Sequence, residues 1–333
     1  MAEAEAPRVV GIGASAGGIE ALRVVLAGLP ADFGAAVLVV VHQSDTAPGR
    51  LAELLDRRCP LPVAPARDGE PVEPGRVHVA VPGHHLLIEK GTLRVPRGPR
   101  ENGHRPAVDP LFRSLALHAG TDAVGVVLSG MLDDGAAGLL DVVRHGGTAV
   151  VQDPDDAAAP AMPSAALVQV PGALVRAAAG LADLLTALVA RPSLQTRRVA
   201  GPRLEFEVDV ARGERALESE PFGQAAGLSC PDCQGPLYAM GDEHLLRYRC
   251  RIGHAWSQES LRAGQDGQIE RALDIALRAL EEKAALHHRI AGRADGQGAS
   301  HTARRARETA QDALTSAAVV RDLIASQEDG GTE

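Results

Sequence analysis

The stretch Val9-Val10-Gly11-Ile12-Gly13-Ala14-Ser15-Ala16-Gly17-Gly18 decides the fold. An apolar run ends in a glycine-rich turn, and the residues that follow, Ile19-Glu20-Ala21-Leu22-Arg23-Val24-Val25-Leu26, have helical spacing. Strand, sharp turn and helix in that order open a parallel α/β sheet. Ser15 stands at the apex between Gly13 and Gly17, a Gly-x-Ser-x-Gly pattern in which small neighbours permit a tight turn and lift a hydroxyl above the sheet edge. Backbone N–H groups at the start of the next helix point the same way and suit an oxyanion. The same residues, Gly11-x-Gly13-x-x-Ala16, also fit a loose dinucleotide fingerprint. That fingerprint wants an acid at the end of the second strand, to hold a ribose. Here the second run, Ala35-Ala36-Val37-Leu38-Val39-Val40-Val41, is followed by His42, which argues for a base instead.

Outward from this stretch, strand-like runs at 9–11, 37–41, 77–81, 124–128 and 148–151 alternate with helix-like segments at 18–26, 50–56, 110–118, 136–144 and 181–188. Buried apolar runs alternating with helices predict a doubly wound, mostly parallel, Rossmann-like sheet over residues 1–190. Short runs around Leu87 and Leu93, separated by Gly91, predict an appended hairpin. Asp109-Pro110 reads as a helix start, with the aspartate as N-cap and the proline at the first helical position.

In such sheets the site lies at the carboxyl ends of the strands. Those ends deliver Ser15, His42, and the pair Asp133-Asp134 after Val124-Gly125-Val126-Val127-Leu128-Ser129-Gly130-Met131-Leu132. A serine hydroxyl becomes a nucleophile when an imidazole takes its proton, and the imidazole needs a carboxylate to fix its tautomer. Taken singly, Ser15 reads as a small turn residue, His42 as an ordinary strand end and the aspartates as helix caps. All three residue types at one sheet edge point to a triad.

Four segments, in order, resemble the catalytic domain of the chemotaxis protein-glutamate methylesterase (CheB) family: Gly13-Ala14-Ser15-Ala16-Gly17-Gly18; Val41-His42; Asn102-Gly103-His104-Arg105-Pro106-Ala107-Val108-Asp109-Pro110-Leu111-Phe112-Arg113-Ser114; and Leu128-Ser129-Gly130-Met131-Leu132-Asp133-Asp134-Gly135-Ala136-Ala137-Gly138. The resemblance implies Ser15 as nucleophile, His42 as general base and acid, and Asp134, which directly precedes the glycine, as the orienting carboxylate. Ala16 and Met131 are the implied backbone oxyanion donors. The implied reaction hydrolyses γ-glutamyl methyl esters on a methylated chemoreceptor or related signalling protein without a catalytic cofactor; some members also deamidate glutamines. The chain departs from the family pattern in Ala16, where members often carry serine or threonine, and in Leu132, where many have glycine. The family's N-terminal receiver domain is not expected, because few residues precede the first strand.

Composition bounds the rest. A formal net charge of −9 gives no reason to expect nucleic-acid binding, and no apolar run is long enough for membrane insertion. An acidic N-terminus without a signal-peptide pattern makes a cytoplasmic protein the expectation. Residues 191–227 read as a linker in which Leu204-Glu205-Phe206-Glu207-Val208-Asp209-Val210 alternates like an edge strand. Over 228–262, Cys230-Pro231-Asp232-Cys233 and Cys250-Arg251-Ile252-Gly253-His254 flank a hairpin-like run. Cys-x2-Cys…Cys-x3-His predicts a zinc-ribbon-like site in which Cys230, Cys233, Cys250 and His254 close a structural tetrahedron. Cys59 reads as an ordinary small residue, and Arg247, Arg249 and Arg251 as a solvated ribbon face. The triad and the metal are expected on separate domains, so that chelation would spare hydrolysis of a small ester. Residues 265–326 predict a helical hairpin, with Ile269, Leu273, Ala276 and Leu280 facing Ala310, Ala313, Ala317, Val320 and Ile324 across a 292–300 connection. His287-His288 is discounted as a metal site, because adjacent residues do not share a helix face. The competing function is a catalytically weak or silent signalling adaptor that docks through the metal module and helical tail.

Overall fold

The computed structural model describes residues 8–192, 200–214, 223–241 and 246–330. The acidic N-terminus, parts of the expected linker and the centre of the ribbon hairpin (242–245) lie outside them. Two compact units emerge, Met1–Leu261 and Arg262–Glu333.

The first unit begins with β1 (Val9–Ala14), α1 (Gly18–Ala27), β2 (Ala36–Val41), α2 (Leu51–Asp56), β3 (Val63–Pro65) and β4 (Val77–Val79). A hairpin of β5 (Leu87–Glu89) and β6 (Thr92–Arg94) follows, as the sequence predicts, then α3 (Val108–His118) and β7 (Ala123–Val127). Next come α4 (Ala136–Arg144), β8 (Thr148–Gln152), α5 (Ala161–Gln169), β9 (Leu174–Arg176) and α6 (Ala178–Val189). Seven parallel strands lie in the order β3-β4-β2-β1-β7-β8-β9. From β1 the chain winds one way to β2 and β4, then returns to β7 on the other side of β1. That reversal opens a crevice at the carboxyl ends of β1 and β7. Every residue of β1, β2 and β7 is buried, because helices cover both faces. Leu22, Val25, Leu181 and Leu185 of α1 and α6 pack on one face; Leu111, Phe112, Leu115, Leu139 and Met162 of α3, α4 and α5 pack on the other.

Three expectations are corrected here. Residues 202–212, expected within a linker as an edge strand, form the helix α7 (Pro202–Arg212), whose Leu204 and Val208 enter the core beside α3. The alternating pattern also places 204, 208 and 211 on one helical face, and Pro202 at the start with left-handed Gly213 at the end are helix punctuation. Asp109 does not cap α3: the N-cap is Ala107, and the free N–H groups of the first turn go to another carboxylate, described below. The ribbon is not a body of its own. β10 (Gln224–Ser229), β11 (Pro236–Met240), β12 (Arg247–Cys250) and β13 (Ala255–Ser257) form an antiparallel sheet inside the first unit. Ala255 N–H donates to Arg100 O (3.2 Å), and Asn102 N–H donates to Ala255 O (2.7 Å).

A helix α8 (Gln258–Gly296) supplies its first turn to this unit, and its remainder with α9 (Ser300–Gly330) makes the second. The two helices pair through alanines: Ala284, Ala291 and Ala294 on one, Ala303, Ala306, Ala310, Ala313 and Ala317 on the other are buried. The connection is only 297–299, since 292–296 stay helical, and Ile269 is exposed rather than in the seam. No helix among the described residues is long and apolar enough to cross a membrane.

Candidate active site

Ser15 follows β1 directly, and its N–H donates to Ser129 O (2.9 Å), tying the turn to the loop after β7. Gly17, the N-cap of α1, has φ 70°, and a Cβ there would lie 2.5 Å from Ala158 Cβ, so the position requires glycine. His42 leaves the end of β2, held by its N–H to Ala14 O (3.1 Å). Its Nδ1 lies 3.1 Å from Ser15 Oγ and its Nε2 2.6 Å from Asp134 Oδ2. With the ring proton on Nε2, donated to the carboxylate, Nδ1 is left free to accept from the serine.

Asp134 is buried among donors. Its Oδ2 takes His42 Nε2 and Val108 N–H (2.7 Å), and its Oδ1 takes Asn102 Nδ2 (3.0 Å), Gly135 N–H (3.0 Å) and Asp109 N–H (3.2 Å). Two of these are the free N–H groups at the start of α3, where a helix favours negative charge. Burial alone would raise this carboxyl, but the bond and charge of His42 and the Val108 N–H hold it well below the usual carboxylate range. Asp133 is the contrast. Burial raises it to about 6 despite a hydrogen bond from Ser257 Oγ at 2.7 Å, and the imidazole bonds Asp134 instead.

The N–H groups of Ala16 and Met131 have no hydrogen-bond partner among the described residues. Ala16 follows Ser15 in the chain, and Met131 follows Gly130, where an added Cβ would lie 2.9 Å from Ser15 Cβ, so both N–H groups belong to segments beside the hydroxyl. Leu132 stands where the resemblance places glycine, and its φ of 60° lies in the left-handed region that favours glycine.

Two neighbours of His42 and Asp134 have no assigned role in the sequence reading. His104 stacks on His42 with ring centroids 3.7 Å apart and planes 10° from parallel. Burial, with the nearby His42 ring, lowers it to about 4, so near neutral pH it is an uncharged face against the His42 ring. Asn102 is the other, through its bond to Asp134. Both lie in the quoted Asn102–Gly103–His104 motif, but only the three-dimensional turn brings them to the triad.

The expected solvated arginine face is corrected. Arg247 and Arg249 are buried, and only Arg251 is exposed. Arg247 bonds Asp109 (2.5 Å) and Glu101 (3.1 Å); Arg249 pairs with Glu207 and Glu101; Arg113 of α3 pairs with Glu101 and Glu207. Three guanidinium groups thus face three carboxylates, drawn from α3, its preceding turn, α7 and the ribbon. Burial would raise Glu101, yet the charges of Arg113, Arg249 and Arg247 hold it at about 2.

The ligand atoms of Cys230, Cys233, Cys250 and His254 all lie within 4.8 Å of one another. Cys233 Sγ and Cys250 Sγ are 3.6 Å apart, and His254 Nδ1 lies 3.7 Å from Cys230 Sγ and 3.6 Å from Cys250 Sγ. A tetrahedron with bonds of about 2.3 Å to sulfur and about 2.0 Å to nitrogen has edges of about 3.5–3.8 Å, so these residues fit a metal ion. The sulfurs are too far apart for a disulfide, which needs about 2.05 Å. Trp256 Nε1–H donates to Cys230 Sγ (3.4 Å), an outer bond of the kind that orients a thiolate ligand. Cys59 is remote from this cluster, its Sγ 3.7 Å from Leu26 O.

Comparison with known proteins agrees with this fold. The family model described as CheB methylesterase matches residues 10–185. A protein-glutamate methylesterase/protein-glutamine glutaminase of Xanthomonas oryzae pv. oryzae is 46% identical over 163 residues, 48% of this chain and 45% of that protein. One from Rhodospirillum rubrum is 42% identical over the same length. The chain therefore spans about half the length of the curated relatives it matches. The crystal structure of the Thermotoga maritima CheB methylesterase catalytic domain superposes with a TM-score of 0.53 at 31% identity, covering 55% of this chain and 98% of that one. With the family match extending over more than half of its residues, the chain belongs to the CheB methylesterase family.

Proposed function

We propose that this protein is a cytoplasmic protein-glutamate methylesterase that removes methyl groups from γ-glutamyl esters of a methylated chemoreceptor or related signalling protein. The observation that carries the reading is the unbroken line from Ser15 Oγ through His42 to Asp134, at 3.1 and 2.6 Å. Ser15 Oγ attacks the ester carbonyl as His42 Nδ1 takes its proton. The Ala16 and Met131 N–H groups receive the developing oxyanion, each such donor being worth about 3–4 kcal/mol of barrier. The C–O bond to methoxide then breaks, and His42 returns the proton to release methanol. Water, deprotonated by the same nitrogen, adds to the glutamyl-serine ester; the C–Oγ bond breaks, His42 Nδ1 returns the proton to Ser15 Oγ, and the glutamate carboxyl is released to ionise. Throughout, Asp134 keeps the Nε2 proton and offsets the imidazolium charge. Deamidation of a glutamine follows the same steps with ammonia as the leaving group. The assembled triad favours hydrolysis over the silent-adaptor alternative.

Methanol release from a methylated receptor fragment tests the reading. The full chain is expected to release it and Ser15→Ala to abolish release while keeping the fold; no release by the unaltered chain overturns the assignment.

The Cys230, Cys233, Cys250 and His254 cluster we assign to one structural zinc. Three thiolates and an imidazole fill the tetrahedron and leave no place for a reacting water. Elemental analysis of purified protein is expected to give about one zinc per chain.

A further inference from the structure

The ribbon and the triad meet at one side chain. Asn102 and Gly103 form a tight turn with φ of 52° and 78°, closed by Glu101 N–H to His104 O (3.1 Å) and His104 N–H to Glu101 O (2.8 Å). Positive φ at two successive residues is the geometry that Asn-Gly pairs adopt in such turns. On one side this turn lays His104 on His42 and aims Asn102 Nδ2 at Asp134 Oδ1 (3.0 Å) and Asp109 Oδ2 (3.2 Å). On the other side Asn102 Oδ1 accepts from Ser257 N–H and Ser260 Oγ, both at 2.9 Å. Ser257 ends β13, and Ser260 lies in the first turn of α8.

The protons can be accounted for one by one. A backbone N–H only donates, so the Asn102 oxygen must face Ser257, and its NH2 group must therefore face Asp134. The Ser257 hydroxyl donates to Asp133 Oδ1 (2.7 Å) and accepts the Ser260 N–H (3.0 Å). Ser260 Oγ also accepts the Ser257 N–H (3.0 Å), which it shares with Asn102 Oδ1 as the reciprocal half of a helix cap, and its own proton lies between Asn102 Oδ1 (2.9 Å) and Ser257 Oγ (2.7 Å). If the amide were turned over, its oxygen would oppose the carboxylates of Asp134 and Asp109 and its NH2 would oppose an N–H donor. The ribbon thus fixes which atom of Asn102 meets the triad.

We infer that the cysteine-bearing ribbon is a positioning device for catalysis: Ser257 and Ser260 lock the Asn102 amide, which orients Asp134 and through it His42. The inference rests on the esterase reading and adds the residues that set its geometry. Asn102, Ser257 and Ser260 are positioning residues, none of which needs to touch substrate.

The test uses the full chain with p-nitrophenyl acetate, measuring kcat, KM, the acyl-enzyme burst and the downfield proton resonance of the His42–Asp134 bond. Ser260→Ala, which preserves volume, is expected to lower kcat about five- to tenfold with KM unchanged, and to shift or broaden that resonance. Ser260→Thr, which keeps the hydroxyl, is expected to recover at least half of the loss. Asn102→Asp, which sets a like charge against Asp134, is expected to lower kcat about a hundredfold. Wild-type kcat and an unchanged resonance in Ser260→Ala overturn the inference, as does a loss confined to KM or one that Ser260→Thr shares in full. Absence of burst and turnover in the unaltered chain would instead sink the esterase reading itself.

Discussion

Replacing Asp134 by asparagine removes one charge and almost no volume, and the surrounding donors dictate the outcome. The Oδ1 side of the carboxylate faces three donors, from Asn102, Asp109 and Gly135, whereas the Oδ2 side faces two, from Val108 and His42. An amide has one accepting oxygen, which goes to the three-donor side. Its NH2 group then points at His42 Nε2 and drives the ring proton to Nδ1. With a proton on Nδ1, 3.1 Å from Ser15 Oγ, the imidazole can no longer accept the serine proton. Loss of the right tautomer together with the stabilising charge costs about 10⁴ in kcat, or about 5–6 kcal/mol of barrier. Steady-state hydrolysis of a small ester measures the loss, and ¹⁵N shifts of the His42 ring report the tautomer. Asp133→Asn, by contrast, keeps the wild-type tautomer. Retention of more than about a tenth of wild-type kcat by Asp134→Asn, or an Nε2-protonated ring in that variant, would refute the reasoning.

Other predictions concern the network and the metal. Arg249→Met leaves the buried Glu207 and Glu101 short of a partner and is expected to cost about 3–5 kcal/mol in urea unfolding; a change under about 1 kcal/mol would count against it. Glu101, held at about 2 against an ordinary 4.5, contributes about 3 kcal/mol that is fully present above pH 4.5 and lost as pH falls towards 2. Its folded value is depressed, so acid removes the contribution; equal stabilities at about pH 6 and about pH 3 would contradict it. Chelation of the Cys230–His254 site is expected to red-shift emission from Trp256, the single tryptophan, whose indole bonds Cys230. Because the ribbon reaches the triad through Asn102, chelation is also expected to depress small-ester turnover, contrary to the reading of two independent domains; turnover untouched after complete metal loss would restore that reading.

Local rules carried much of this protein. The alternation of apolar runs with helical segments foretold the parallel sheet, because a strand covered on both faces must be apolar throughout and a crossover helix must follow. The convergence of Ser15, His42 and Asp134 was legible because each lies at the carboxyl end of a strand or in the loop that follows it, and strand ends meet at the β1/β7 reversal. The Cys230, Cys233, Cys250 and His254 cluster was legible for a similar reason: its members are marked by residue type and short separations. Where two periods fitted the same residues, as in 204–210, pattern alone chose strand and packing chose helix, since only a helix puts Leu204 and Val208 into the core while aiming Glu207 at two arginines. The long-range pairings had no local signature at all. Arg249 meets Glu101 from 148 residues away, and Ser260 meets Asn102 from 158. A charged residue on a ribbon strand reads as a solvated one unless its partners are known, and a serine at a helix start reads as a cap. Only tertiary structure buried these arginines among carboxylates and made this cap a hydrogen-bond partner of Asn102, because burial and hydrogen-bond partnership depend on which distant surfaces the fold presses together.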